Sequence, residues 1–259
     1  MSLNVLACVK RVPATGGTIV LTGDQRAIDT RHLGFTVSPH EECAVEEAVR
    51  IVEAHGGHST VLTLGPAAAE EQLRDAVAVG VGRGILLETD GGDWDPVATA
   101  AAIVDTIRSD QAERSPFDLL LFGNEAADSG DYQVPVRVAA ALDLPCVNGV
   151  KGLELRGGRA ICRREAARGG WEIYEVPLPA VVSVREGINL PRYPSVPGRL
   201  RARKTEIQRV VPERRPGGPR MTRLGLPVEQ AASAEVLGTG PEAAPRVVEL
   251  LAQIGVLAR

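Results

Sequence analysis

The chain has 259 residues, 44 % of them apolar but only 3 % aromatic, so a core of one large or two small domains must be built from Ala, Val and Leu. A formal net charge of −4 provides no global basic field, which argues against nucleic acid as a partner, and no apolar run reaches the length of a membrane span. The start, Met1-Ser-Leu-Asn, lacks the basic and apolar regions of a secretion signal, so the cytoplasm is the expected location.

Val5-Leu-Ala-Cys-Val9 is a continuous apolar run, the mark of a strand covered on both faces. Thr18–Leu21 and Arg26–Ile28 flank Gly23-Asp24 and suggest a small hairpin. Ser38-Pro-His-Glu41 opens a helix: Ser38 suits the N-cap, Pro39 the first helical position, and Glu41 completes a capping box. Ala44, Val45, Ala48, Val49 and Val52 continue at helical spacing until Gly56-Gly57. Strand Thr60–Leu64, helix Pro66–Val79, strand Gly84–Glu88, a helix capped by Asp95-Pro96 and running to about Ser109, strand Phe117–Phe122 and helix Tyr132–Leu142 follow. This alternation predicts an α/β fold: an open, mostly parallel twisted sheet with helices on both faces, Rossmann-like.

After Pro145 the pattern shifts to short strands, Val150–Leu155, Ala160–Arg163, Trp171–Val176 and Ala180–Val184, read as a β-hairpin extension of the same sheet. Beyond Arg209 the composition turns Pro-, Gly- and Arg-rich, unsuited to a core. A last helix, about Ala244 to Leu257, carries an apolar stripe at Val247, Leu250, Leu251 and Ile254. The expected organisation is one α/β domain over residues 1–207 and an extended C-terminal arm over 208–259, whose helix packs on a partner subunit.

Candidate chemistry is sparse. Cys8, Cys43, Cys146 and Cys162 show no CxxC spacing, and His32, His40, His55 and His58 form no metal pattern, so no metal site is expected. Ser183 and Ser195 lie in no nucleophile elbow. Glu41, Glu42, Glu46 and Glu47 are expected on a solvated helix face. Ligands of open α/β sheets sit beyond the C-terminal strand ends. Three such segments stand out: Cys8-Val9-Lys10, the helix start Ser38–Glu41, and the loop Gly123-Asn-Glu-Ala-Ala-Asp-Ser-Gly-Asp-Tyr-Gln133. Small residues running into a helix N-terminus can cradle phosphate, although no GxGxxG or P-loop motif is present.

A different feature follows the strand Ala180–Val184. Pro191, Pro194 and Pro197 stiffen Asn189–Lys204, which reads as a loop with neither helix interior nor central strand. Tyr193, Val196 and Leu200 lie at its tip, with Arg199, Arg201, Arg203 and Lys204 as a basic collar. A stiff loop loses little entropy on binding, so it suits docking.

The segment Leu178-Pro-Ala-Val-Val182, followed by Pro191-Arg-Tyr193 and the basic run, resembles the recognition loop of the electron transfer flavoprotein beta subunit. Further motifs agree in order and spacing: Ser38-Pro-His-Glu-Glu42 with the helix after it, Leu64-Gly-Pro66, and Gly123 to Val134. The resemblance runs from Val5 to about Ile207 and returns weakly at Val248–Gly255. It implies an adenine nucleotide held by Cys8, Ser38, Pro39, His40, Glu41, Leu64, Gly123, Ala126, Asp128, Ser129, Gly130, Asp131, Tyr132, Gln133 and Val134. It also implies dehydrogenase docking through Tyr193, Val196, Leu200, Arg201 and Arg203.

By the same resemblance the chain is half of a heterodimer with an alpha subunit that holds most of one FAD. It carries electrons from flavin dehydrogenases to a quinone oxidoreductase or another acceptor, without catalytic residues of its own. Several positions depart from the family. Tyr132 and Val134 replace the Asn and Thr expected at the phosphate of AMP, Pro135 stands for Gly, Arg168 for Asp, and Val196 for Leu. Gln133-Val134 is closer to bifurcating members that hold a second FAD, so AMP and a second FAD both stay open. A non-redox nucleotide-binding regulator is the alternative of another class.

Overall fold

The computed structural model describes residues 2–14, 16, 18–215, 217–219, 221–226 and 235–257. The chain divides into two compact units, Met1–Thr222 and Arg223–Arg259. In the first, β1 (Leu3–Val9) precedes a short antiparallel pair, β2 (Val12–Pro13) and β3 (Phe35–Thr36). Then come α1 (Pro39–His55), β4 (Gly57–Gly65), α2 (Glu70–Val79), β5 (Arg83–Glu88), α3 (Pro96–Glu113), β6 (Leu119–Gly123) and α4 (Gln133–Leu142). β7 (Cys146–Arg156), β8 (Arg159–Glu165), β9 (Trp171–Pro177), β10 (Ala180–Val184), α5 (Val196–Lys204) and β11 (Ile207–Val210) complete the unit.

One nine-stranded sheet runs in the order β11-β5-β4-β1-β6-β10-β7-β8-β9. Every pair from β11 to β7 is parallel, and β8 and β9 extend it antiparallel, which is the expected hairpin extension. The apolar strands bury both faces. Val5, Ala7 and Val9 of β1 join Leu119, Leu121, Ala180 and Val182 under α1 and α2. Their neighbours Leu6, Cys8, Leu120 and Val181 pack under α3 and α4. Each fully buried Val or Leu contributes about 1.5–3 kcal/mol, and the period-2 alternation shares that gain between the two helical layers.

Local signals act as expected at the helix ends. Ser38 caps α1 with a complete capping box and Pro39 in the first turn, and Asp95 caps α3 through Val97 and Ala98. α3 runs four residues past Ser109, to Glu113, and the hairpin expected at 18–28 reduces to a single bridge, Leu21–Ile28.

Two expectations are corrected. The segment Asn189–Lys204 is loop only in its first half; Val196–Lys204 is helical, with Ser195 Oγ accepting from Gly198 N at 3.1 Å. Pro197 falls in the first turn, where a missing N–H costs nothing, so it starts the helix instead of breaking it. Glu41, Glu46 and Glu47 are buried, and only Glu42 is solvated: the ends of β1 and β6 close on Glu41, and the segment after β10 lies along α1 over Glu46 and Glu47. The strand β11 also went unforeseen: four residues carry too little pattern, yet Ile207–Val210 pairs with β5 at the sheet edge.

The second unit contains a 3-10 turn, Pro241–Ala243, and α6 (Ala244–Gln253), four residues shorter than expected. Val247, Leu250 and Ile254 of its apolar stripe are exposed. Residues 227–234 of the low-complexity stretch lie outside the described residues. Among the described residues no helix is long and apolar enough to cross a membrane.

Candidate functional site

The strand order reverses at β1. The chain leaves β1 for β4 and β5 on one side, then returns to place β6 and β10 on the other. Loops leaving β1 and β6 therefore diverge, and the crevice between them is where open α/β sheets take their ligands. Of the residues singled out from the sequence, Lys10, Ser38, His40, Glu41, Gly123 and Asp128 meet there.

Glu41 is the pivot. Its Oε1 accepts from Lys10 N at 2.9 Å and its Oε2 from Ser38 N at 3.1 Å, tying the end of β1 to the start of α1. Gly123, at the end of β6, packs directly on it: a Cβ there would lie 2.6 Å from Glu41 Cγ and 3.2 Å from Glu41 N. Only the absent side chain allows β6 to pass so close. Lys10 Nζ meets Asp128 Oδ1 at 2.7 Å and holds the loop after β6 over the strand ends.

That loop is internally bonded. Gly130 N donates to Ala126 O at 2.7 Å, Ala126 N to Asp131 O at 3.1 Å, and Gln133 N to Asp131 Oδ1 at 2.8 Å. Gly130 takes φ +62, and Ser129 N closes on Ala126 O at 3.3 Å. Tyr132 is about half exposed at the rim, whereas Val134 packs inward under the α3–α4 layer. Pro135 leaves the first turn of α4 one amide donor short. Leu64, at the end of β4, packs in the same layer as Cys8. Cys8 is buried, and burial, helped by nearby Glu41, pushes its thiol far above the ordinary range. It contributes shape to the crevice and no thiolate chemistry at neutral pH.

Sequence reasoning missed a polar group beside this crevice. Ser183, fully buried on β10, places Oγ 3.0 Å from Asn148 Oδ1 and 3.4 Å from Asn124 Oδ1, and Gly149 N donates to it at 3.4 Å. A Ser inside an otherwise apolar strand, Ala-Val-Val-Ser-Val, was the available signal.

Burial pushes the Glu41 carboxyl up to about 8 from 4.5, against the pull of the N–H donors at Ser38 and Lys10. Between those two values the folded chain keeps a proton that the unfolded chain has released. The contribution of Glu41 to stability is thus full below pH 4.5 and is lost as pH rises through about 8. Thermal unfolding midpoints measured across this window should fall with pH, and Glu41→Gln should flatten the slope. An equal slope in the variant would assign the dependence elsewhere.

The second candidate region is the segment after β10. Asn189 Nδ2 donates to Cys43 O and to Glu47 Oε2, both at 2.9 Å. The Arg192 guanidinium bridges Glu46 and Glu53, with Nε–Glu46 Oε2 at 2.9 Å and Nη1–Glu53 Oε1 at 2.6 Å. Glu46 and Glu53 are seven apart, two turns on one helix face, a spacing that could have flagged them as a clamp.

With its base fixed, the loop exposes Leu190 and Tyr193, and the first turns of α5 expose Val196 and Leu200; Tyr193 is 95 % exposed. Behind this patch α5 is packed on α2. A Cβ on Gly198 would meet Ala78 O at 2.1 Å, so glycine is required for that approach. Ala202 is buried with Val77 and Ala78, and Arg74 donates to Ala202 O. Arg201 Nη2 donates to Val77 O at 3.0 Å near the end of α2, whereas Arg199 and Arg203 stay exposed. Of the basic collar, Arg201 is thus partly committed within the chain.

Comparison with known proteins gives the same answer from a different direction. The family model for the electron transfer flavoprotein domain matches residues 26–214. A protein of Syntrophomonas wolfei named electron transfer flavoprotein subunit beta is 35 % identical over 237 residues, covering 91 % of this chain and 90 % of its own. Proteins of the same name from Bacillus subtilis (33 % identical, covering 80 % of this chain and 78 % of theirs) and Thermoanaerobacterium thermosaccharolyticum (34 %, 80 % and 77 %) are similar to it as well. The match spans most of the chain, and the chain belongs to the electron transfer flavoprotein beta subunits.

Proposed function

We propose that the chain pairs with an alpha subunit and relays electrons from flavin dehydrogenases to a quinone oxidoreductase or another acceptor. In this reading it holds an adenine nucleotide in the β1–β6 crevice and contacts an FAD seated mainly in the partner. The observation that carries it is the meeting of the first turn of α1, Lys10 and the loop after β6 at the C-terminal ends of β1 and β6, where the strand order reverses.

The donors fit such a ligand. The N-terminal ends of α1 and α4, whose dipoles favour phosphate, lie at these strand ends beside the Lys10 ammonium, which Asp128 pairs at 2.7 Å. Apolar Cys8 and Leu64 suit the flat base. FAD, when bound, supplies the redox chemistry, and this chain supplies position, exclusion of water and a docking surface.

AMP is the first reading for the nucleotide. Val134, turned into the apolar layer beside Gln133, removes a hydroxyl that AMP would use and favours a second FAD as the alternative.

The experiment is co-expression with the alpha subunit, denaturing extraction and chromatography of the nucleotides. One FAD and one AMP per heterodimer supports the conventional carrier; two FAD and no AMP supports the two-flavin relay; no nucleotide in this chain refutes both. In the same heterodimer Val196→Arg should slow reduction by the flavin dehydrogenase about tenfold, the equivalent of roughly 1.4 kcal/mol of docking energy, with cofactor content unchanged. An unchanged rate removes the docking assignment.

A further inference from the structure

The two regions described above share one helix. The first turn of α1 builds the crevice through Ser38, His40 and Glu41, and the next turns hold the docking loop through Cys43 O, Glu46, Glu47 and Glu53. Between them stands His40. Its Nδ1 accepts from Glu186 N at 2.7 Å, in the turn directly after β10, three residues before Asn189. Its Nε2 lies 3.3 Å from Glu125 Oε1, in the loop after β6. The side chain is only 16 % exposed. With Nδ1 occupied as an acceptor, the ring proton of the neutral imidazole sits on Nε2, where it donates to Glu125.

We propose that His40 is a positioning residue that couples the nucleotide loop to the base of the docking loop. The inference rests on the function proposed above. The geometry gives it a direction. Ligand in the crevice holds the loop after β6 closed, keeps Glu125 on Nε2, and so fixes the ring in the orientation that accepts Glu186 N. When that loop opens, the ring loses one of its two brackets and the turn Arg185–Ile188 loosens. The sheet supplies a backbone link below the ring, Asn124 N to Val184 O at 2.9 Å, but that bond belongs to the strand ends and does not depend on side chains. By linkage, ordering the docking loop must tighten the nucleotide by the same factor.

The test uses the heterodimer with the alpha subunit, stripped of nucleotide in the beta crevice and then titrated with AMP and, separately, FAD. Hydrogen exchange of the peptide spanning 185–192 is read by mass spectrometry. In the unmodified heterodimer the nucleotide that binds should slow exchange at Glu186 about fivefold or more. In His40→Phe, which keeps a ring without nitrogens, exchange should be equally fast with and without nucleotide. Glu125→Ala cuts only the nucleotide-side bracket and should reproduce the stripped rate with ligand present.

Exchange that ignores nucleotide in the unmodified heterodimer overturns the proposal. So does a His40→Phe response equal to the unmodified one. If neither AMP nor FAD binds the crevice, the functional reading fails first and the coupling with it; binding without a change at 185–192 refutes the coupling alone.

Discussion

Gly123→Ala is expected to cost about 1–3 kcal/mol of stability and to release the adenine nucleotide proposed for the β1–β6 crevice. The methyl group would lie 2.6 Å from Glu41 Cγ and 3.3 Å from His40 Cβ, in a place where neither neighbour can retreat. Glu41 is held by two backbone donors and the backbone of α1 is fixed by its capping box. The strand end must therefore move, and with it the loop that reaches Asp128 and Asp131. In a domain of this size each kcal/mol lowers the melting temperature by about 2–4 °C. Gly34→Ala is the control, because a Cβ there meets nothing within 4 Å. The measurement is thermal unfolding beside nucleotide content of the purified heterodimer. Full nucleotide retention in Gly123→Ala would remove the crevice from the binding site.

Arg192→Ala should have the second largest effect. Glu46 is 4 % exposed at its side chain and takes charge-assisted bonds from Arg192 and, at 2.6 Å, from Arg50. Deleting one partner of a buried charge costs about 3–5 kcal/mol; the Arg192 side chain is 34 % exposed and Arg50 remains, so about 1–3 kcal/mol is expected.

The pH dependence gives a second readout. Burial raises the Glu46 carboxyl, but the bonds from Arg192 and Arg50 outweigh it and hold the group below its ordinary value. This contribution is present above the unfolded pKa and fades as pH falls through the folded one. The variant should lose that part of its acid sensitivity. It should also dock more weakly, because a loop no longer pinned to α1 must be ordered on binding. Arg192→Lys keeps the charge but not the fork that spans Glu46 and Glu53, and should fall between. Chemical denaturation at pH 7 and pH 4 reads the first effect, and dehydrogenase affinity the second. A variant as stable and as tightly bound as the original would reduce the clamp to a surface ion pair.

Both predictions concern places where distant segments meet, and this is where sequence and tertiary structure part. Local chemistry was legible: Ser38-Pro-His-Glu41 spells a capped helix start, and Val5–Val9 spells a strand buried on two faces, because each signal is completed within a few residues. The alternation of such segments settled the α/β class. The motifs after β1, β6 and β10 identified the family.

What the sequence could not settle was the destination of side chains. Glu46 and Glu47 have the same local pattern whether water or another segment lies above them, and only the return of Asn189 and Arg192 from 142 and 146 residues away puts them indoors. Pro197 obeys one rule inside a helix and the opposite one at its start, and the packing of Gly198 against Ala78 chose the start. His40 reads as part of a helix start and, by the resemblance, of the nucleotide site; its bonds to Glu125 and Glu186 come into view only when β6 and β10 are laid side by side. Helix starts and buried strands follow from short-range propensity and period. Burial of charge and the sharing of one helix by two regions follow from strand order, which no single stretch of the chain encodes.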